Sequence, residues 1–117
     1  MTAFPPLPAG CCAVCRHQET GVGYAPPRSR AKAITWTCDA HIDLARTVHH
    51  MPRPELDRTQ WAALRAGGDA AGAYLDEIGR TDLATLTAEE WETFLAIALD
   101  QYGQALSTLL RASAAPF

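Results

Sequence analysis

A chain of 117 residues, 48% hydrophobic and 20% charged with eight non-periodic glycines, supports one domain with a modest core; it excludes two independent domains, collagen-like repeats and full disorder. The net charge of -3 hides a division, because residues 1–60 carry seven Lys or Arg against five Asp or Glu, and residues 61–117 carry three against eight. A polyanion could meet only the first half favourably, since phosphate binding depends on clustered cations.

The opening, Met1 to Gly10, contains Pro5, Pro6 and Pro8, which lack backbone donors and favour extended chain. Residues 1–10 are expected to form a mobile Pro-rich tail. This stretch has no basic n-region, and no apolar run approaches the roughly 20 residues that span a bilayer. A cytoplasmic chain without membrane contact is the expectation, and there four cysteines serve as thiols or metal ligands rather than as a disulfide framework. Cys12-Ala-Val-Cys15 comes next, then Gly21-Val-Gly-Tyr24, the turn-forming Pro26-Pro27, and a stretch from Lys32 to Cys38. Ile34 and Trp36 alternate with Thr35 and Thr37, the period-2 pattern of a half-buried strand. A hairpin is expected from about Val22 to Thr37, with Arg28, Ser29 and Arg30 near its tip and Trp36 covering the core beneath.

After Cys38 the period becomes helical. Asp39 is the expected N-cap, and Ile42, Ala45, Val48 and Met51 recur every third residue until Pro52 and Pro54 stop the helix. A second helical region runs from about Pro54 to Ile78, with an interruption expected at Gly67-Gly68, where Asp69 can cap a restart. Ala71, Tyr74, Leu75 and Ile78 share a face, and Gly79 is a natural stop. Thr87-Ala-Glu-Glu90 reads as a capping box opening a third helix. Its stripe, Trp91, Phe94, Leu95, Ala98, Leu99, Tyr102, Leu106, Leu109 and Leu110, reads as core. The acidic run Glu89, Glu90 and Glu92 lies where carboxylates offset the helix dipole, so it needs no catalytic role.

The chemistry lies in two matched pairs. Cys12 and Cys15 can aim two thiolates at one point from a tight turn, and Cys38 and His41 repeat that spacing across a helix start. Three sulfurs and one imidazole are the donor set of a closed tetrahedral zinc site, so Zn2+ is the expected cofactor. The 22 residues between Cys15 and Cys38 are long enough for a hairpin and short enough to keep the pairs adjacent. Cys11 permits an alternative pairing with Cys15, and His17, His49 and His50 are alternative imidazoles, although each is too close to the first pair or further along the helix. Over residues 11–51 the order of knuckle, hairpin and helix-borne ligand pair resembles the treble-clef class of zinc fingers. The expected fold is mainly α: a treble-clef-like zinc module at 11–51 packed on a small helical bundle, with 52–117 the helical part of the same domain.

A closed site stabilises rather than activates water, so no catalytic residue is assigned. The enzymatic alternative is a His-Asn-His type nuclease using His49 or His50, but the strand-end histidine that it needs is missing. Arg28, Arg30 and Lys32, with Arg16 near the knuckle, could contact phosphates or an acidic protein surface; Arg46 and Arg53 could extend the run.

Seven segments carry a wider resemblance: Cys12-Ala-Val-Cys15, Gly21-Val-Gly-Tyr24, Pro54-Glu-Leu-Asp-Arg58, Gly67-Gly-Asp-Ala-Ala-Gly72, Tyr74-Leu-Asp-Glu-Ile-Gly79, Thr81-Asp-Leu-Ala-Thr-Leu-Thr87 and Glu90-Trp-Glu-Thr-Phe94. In these the chain resembles a family of small uncharacterised phage and prophage proteins of alphaproteobacteria. That resemblance implies a viral origin and residence in the host cytoplasm, and it transfers no activity. The leading expectation is a non-enzymatic, zinc-stabilised phage-type adaptor or inhibitor that binds a host or phage protein. The alternative is a nucleic-acid-binding zinc finger using the basic hairpin. A homo-oligomer is a further option, because the third helix ends in Leu106, Leu109, Leu110 and Phe117, more apolar surface than two short helices cover.

Overall fold

The computed structural model describes residues 2–26 and 34–113. The described residues are mainly helical, as expected, with one small sheet. Strands β1 (Val22–Tyr24) and β2 (Thr35–Thr37) precede a 3-10 segment at Asp39–Leu44, helix α1 (Ala45–His50), helix α2 (Arg53–Ile78), a 3-10 turn at Leu83–Thr85 and helix α3 (Ala88–Ser113). Arg28, Arg30, Lys32 and Phe117 lie outside the described residues.

The strands pair antiparallel with Val22 opposite Thr37, Gly23 opposite Trp36 and Tyr24 opposite Thr35. Their polarity is the reverse of the expectation: Ile34 and Trp36 are 43% and 40% exposed, whereas Thr37 is fully buried. The hairpin is fastened from the Thr37 end. The Ala13 N–H donates to the Trp36 carbonyl at 2.9 Å and the Thr20 N–H to the Thr37 carbonyl at 3.2 Å, which turns Thr37 inward beside the cysteines. Trp36 therefore does not cover the core. It packs with Ile34 over Gly23, where a Cβ would come 2.9 Å from the indole and 2.8 Å from the isoleucine.

Asp39 does not cap the following helix. Cys38 occupies that position without a side-chain cap, and the Asp39 carboxylate accepts from Thr20 Oγ1 at 2.8 Å. The 3-10 start also resets the phase. Leu44 is buried and Ile42 is exposed, and the expected spacing holds only from Ala45 and Val48 onwards.

Helix α2 runs unbroken through Gly67-Gly68, contrary to the expected interruption. The reason is tertiary. A Cβ on Gly67 would lie 2.5 Å from the Ala98 carbonyl oxygen, so the glycine permits close approach of α3 rather than ending a helix. Gly79 does end it, at φ 70°, with its N–H on the Asp76 carbonyl and the Arg80 N–H on the Leu75 carbonyl. The Thr87 capping box forms as read: the Thr87 N–H donates to Glu90 Oε1 at 2.9 Å and the Glu90 N–H to Thr87 Oγ1 at 3.1 Å.

The Pro-rich opening, expected as a mobile tail, is docked on the helices. Phe4 is 6% exposed, stacks on Tyr102 with ring centroids 5.9 Å apart and meets Trp61 edge-on at 4.9 Å. Its N–H donates to Asp57 Oδ1 at 3.1 Å, and Trp61 Nε1 donates to the Thr2 carbonyl at 2.9 Å. The core joins Phe4, Val14, Leu44, Val48 and Leu56 to Tyr102, Leu106 and Leu110 of α3. The α3 stripe is thereby buried at Tyr102, Leu106 and Leu110, on which the N-terminal module packs, while Trp91, Leu95, Leu99 and Leu109 remain 38–46% exposed.

Candidate metal centre

The first ligand pair sits on a knuckle that the backbone builds. The Arg16 N–H donates to the Cys12 carbonyl at 3.0 Å, the Cys12 N–H to the His17 carbonyl at 2.6 Å, and Cys11 bridges to Gln18. Closing so tight a turn puts Arg16 at φ 63°, a conformation that costs a residue with a Cβ about 1–2 kcal/mol. The second pair comes from the end of β2 and the first turn of the 3-10 segment, where the His41 N–H donates to the Cys38 carbonyl at 3.1 Å. Helix α3 closes the floor. At Gly103 a Cβ would meet Cys15 Cβ at 3.1 Å, so a small residue seats the knuckle on the helix.

This assembly brings together the four residues expected from spacing. One ligand atom from each of Cys12, Cys15, Cys38 and His41 lies within 4.8 Å of the other three. Cys15 Sγ is 3.9 Å from Cys38 Sγ, and His41 Nδ1 is 3.3 Å from Cys38 Sγ and 3.8 Å from Cys12 Sγ. Bonds of about 2.3 Å at a tetrahedral angle place sulfurs about 3.7 Å apart, so the donor set fits one ion at its centre. Cys11 stands outside this group, as do His17, His49 and His50.

The surroundings prepare thiolates unequally. Burial opposes charge on Cys12, but backbone N–H groups of Cys15, Cys38 and Val14 outweigh it and hold the thiol below its usual value; the Val14 N–H donates to Cys12 Sγ at 3.4 Å. Burial pushes the Cys15 thiol up to about 12, and the neighbouring Cys12 charge adds to the rise. His41 is held below the usual histidine value by burial and then by Arg111, which keeps a nitrogen lone pair free for a metal.

The other expected site residues are differently employed. Arg16 donates to the Pro5 carbonyl at 2.5 Å and the Pro6 carbonyl at 3.4 Å, and its guanidinium lies 5.0 Å from the Phe4 ring centre, so it clasps the docked N-terminus. Arg28, Arg30 and Lys32 lie outside the described residues. His49 Nδ1 is hydrogen-bonded to Thr35 Oγ1 at 2.9 Å and His50 Nε2 to Tyr24 Oη at 2.8 Å. Sequence reading missed the Phe4 and Asp57 clasp and the Gly103 seat. The available signals were one aromatic among prolines and one glycine within the α3 stripe.

Among the described residues no helix is long and apolar enough to cross a membrane. Comparison with curated proteins and with solved structures gave no match. A family model described as a family of unknown function (DUF6511) matches residues 55–117, which take in most of α2 and all of α3 and leave out the four metal-competent residues. The match spans more than half of the chain, and the chain belongs to that family.

Proposed function

We propose that this protein is a non-enzymatic adaptor whose N-terminal third is a treble-clef-like module held together by structural zinc. The observation that carries the reading is the closed donor set: three sulfurs and one imidazole within 4.8 Å take up all four positions of a tetrahedral ion. Nothing is left for water or substrate at such an ion. What zinc supplies when bound is folding free energy, since four ligands drawn from two short segments tie the knuckle to the end of the hairpin and to the 3-10 segment. The residues then do structural work. The Val14 N–H favours the Cys12 thiolate, Gly103 admits Cys15 against α3, and Thr20 holds the start of the 3-10 segment through Asp39.

The resemblance to phage and prophage proteins extends this reading to a partner in the host, a protein or nucleoprotein complex that the adaptor modulates. Metal analysis of freshly purified protein tests the foundation. About one zinc per chain is expected, and protein that is folded yet metal-free overturns it. Capture of host proteins by the tagged full chain, followed by mass spectrometry, tests the adaptor role against the nucleic-acid alternative. Recovery of nucleic acid alone would favour the alternative.

A further inference from the structure

The hairpin, α1 and the start of α2 enclose a cleft of about 430 Å³, within the range of roughly 300–1,000 Å³ typical of ligand pockets. Val48 and Leu56 form a buried floor, and Leu7, Ile34 and Trp36 stand at the lining 39–43% exposed. Among the described lining residues the ionisable groups are all basic, Arg16, His49 and Arg53, with no Asp or Glu. In a chain of net charge -3 this is a local reversal of sign. Arg53 is the cation most open to a partner, with its side chain 60% exposed; Asp57, 12% exposed, is 3.5 Å from its Nε. Thr35 Oγ1 fixes the His49 ring from the hairpin side at 2.9 Å.

We propose that this cleft receives one large apolar side chain from an acidic segment of a protein partner, with carboxylates flanking that anchor drawn to Arg53 and His49. The inference rests on the adaptor reading and names its partner chemistry. Apolar floor and half-exposed indole suit an anchor that is desolvated on binding, the arrangement that concentrates binding energy at few residues. The basic rim then selects the sign of the flanks, through steering and through the cost of burying a like charge. Single-stranded nucleic acid would use Trp36 as a stacking platform but needs a track of cations along its backbone. Among the described lining residues the guanidinium groups are those of Arg16 and Arg53, and Arg16 is already engaged by the Pro5 and Pro6 carbonyls.

The test uses the full-length protein on an array of short synthetic peptides with Leu, Phe or Trp at the centre and Glu, Ser or Lys as flanks. Acid-flanked peptides should be retained at least about tenfold over Lys-flanked ones. Arg53→Glu should invert that preference, and Trp36→Ala should weaken retention at every flank. Retention indifferent to flank charge, a blank array, or a pattern unchanged in Arg53→Glu overturns the proposal. An oligothymidylate that binds with steep salt dependence while the array stays blank overturns it in favour of nucleic acid. Zinc content is measured on the same preparations: metal-free protein that keeps the acidic preference sinks the zinc foundation and spares the cleft. Zinc-replete protein with a blank array does the opposite.

Discussion

Gly67 of α2 lies directly under the carbonyl of Ala98 in α3, so close that an added methyl group would stand 2.5 Å from that oxygen. Its neighbour Gly68 has nothing within 4 Å of the same added atom. Two adjacent glycines in one unbroken helix should thus respond oppositely to alanine. Gly68→Ala should stabilise by up to about 1 kcal/mol, the helix-propensity difference. Gly67→Ala should cost about 1–3 kcal/mol, because backbone cannot yield as a flexible side chain does and the helices must move apart. Thermal denaturation of both variants checks this, and similar shifts of the same sign would contradict the close approach.

The cysteines should separate as cleanly. Cys38→Ser removes one of four ligands and should abolish stoichiometric zinc, with loss of ordered structure from the knuckle to α1, since metal binding and folding are one equilibrium in such modules. Cys11→Ser should keep zinc and stability within about 0.5 kcal/mol, because Cys11 lies outside the ligand group. Metal analysis and proteolysis of the two variants distinguish them, and zinc loss in Cys11→Ser would reassign the first ligand.

The docked N-terminus gives a third prediction. Phe4 buries its ring between Trp61 and Tyr102, and its N–H meets Asp57. Phe4→Ala should cost about 3 kcal/mol, at the lower end for an aromatic deletion because a chain end can shift to fill the gap. It should also release residues 2–8 to proteolysis, and undiminished protection would show that the clasp through Arg16 and Asp57 suffices alone.

What was legible in the sequence was chiefly local. The ligand set follows from two x-x spacings, and the Thr87–Glu90 box and the Gly79 stop follow from backbone chemistry confined to one turn. What was illegible depends on distant partners. The approach of Ala98 turns Gly67 from an expected helix break into a contact, and Thr20 takes Asp39 away from the helix it was expected to cap. Ile34 and Trp36 look like core by hydropathy, yet Thr37 goes inside because the knuckle fastens that end of β2. The α3 stripe reads as continuous core, but the module seats on α3 at Tyr102, Leu106 and Leu110, and Trp91, Leu95 and Leu99 stay exposed.

The capping box carries the last prediction, an acid dependence. The Glu90 carboxyl is held below the usual glutamate value first by the Thr87 N–H and also by the Arg80 charge, whose Nη1 is 3.7 Å away. A carboxyl with a depressed folded-state pKa binds fewer protons in the native state than in the unfolded chain. Its stabilisation is therefore fully present above the ordinary glutamate value of 4.5 and fades as pH falls through the lower folded value. Glu90→Ala should destabilise α3 at neutral pH by an amount that shrinks steadily below pH 4.5. Protonation of the zinc ligands in acid weakens both proteins alike, so the measured quantity is the difference between wild type and variant in denaturant midpoint across that range. A difference constant with pH would mean that the side chain acts by packing and not by its charged hydrogen bond to Thr87.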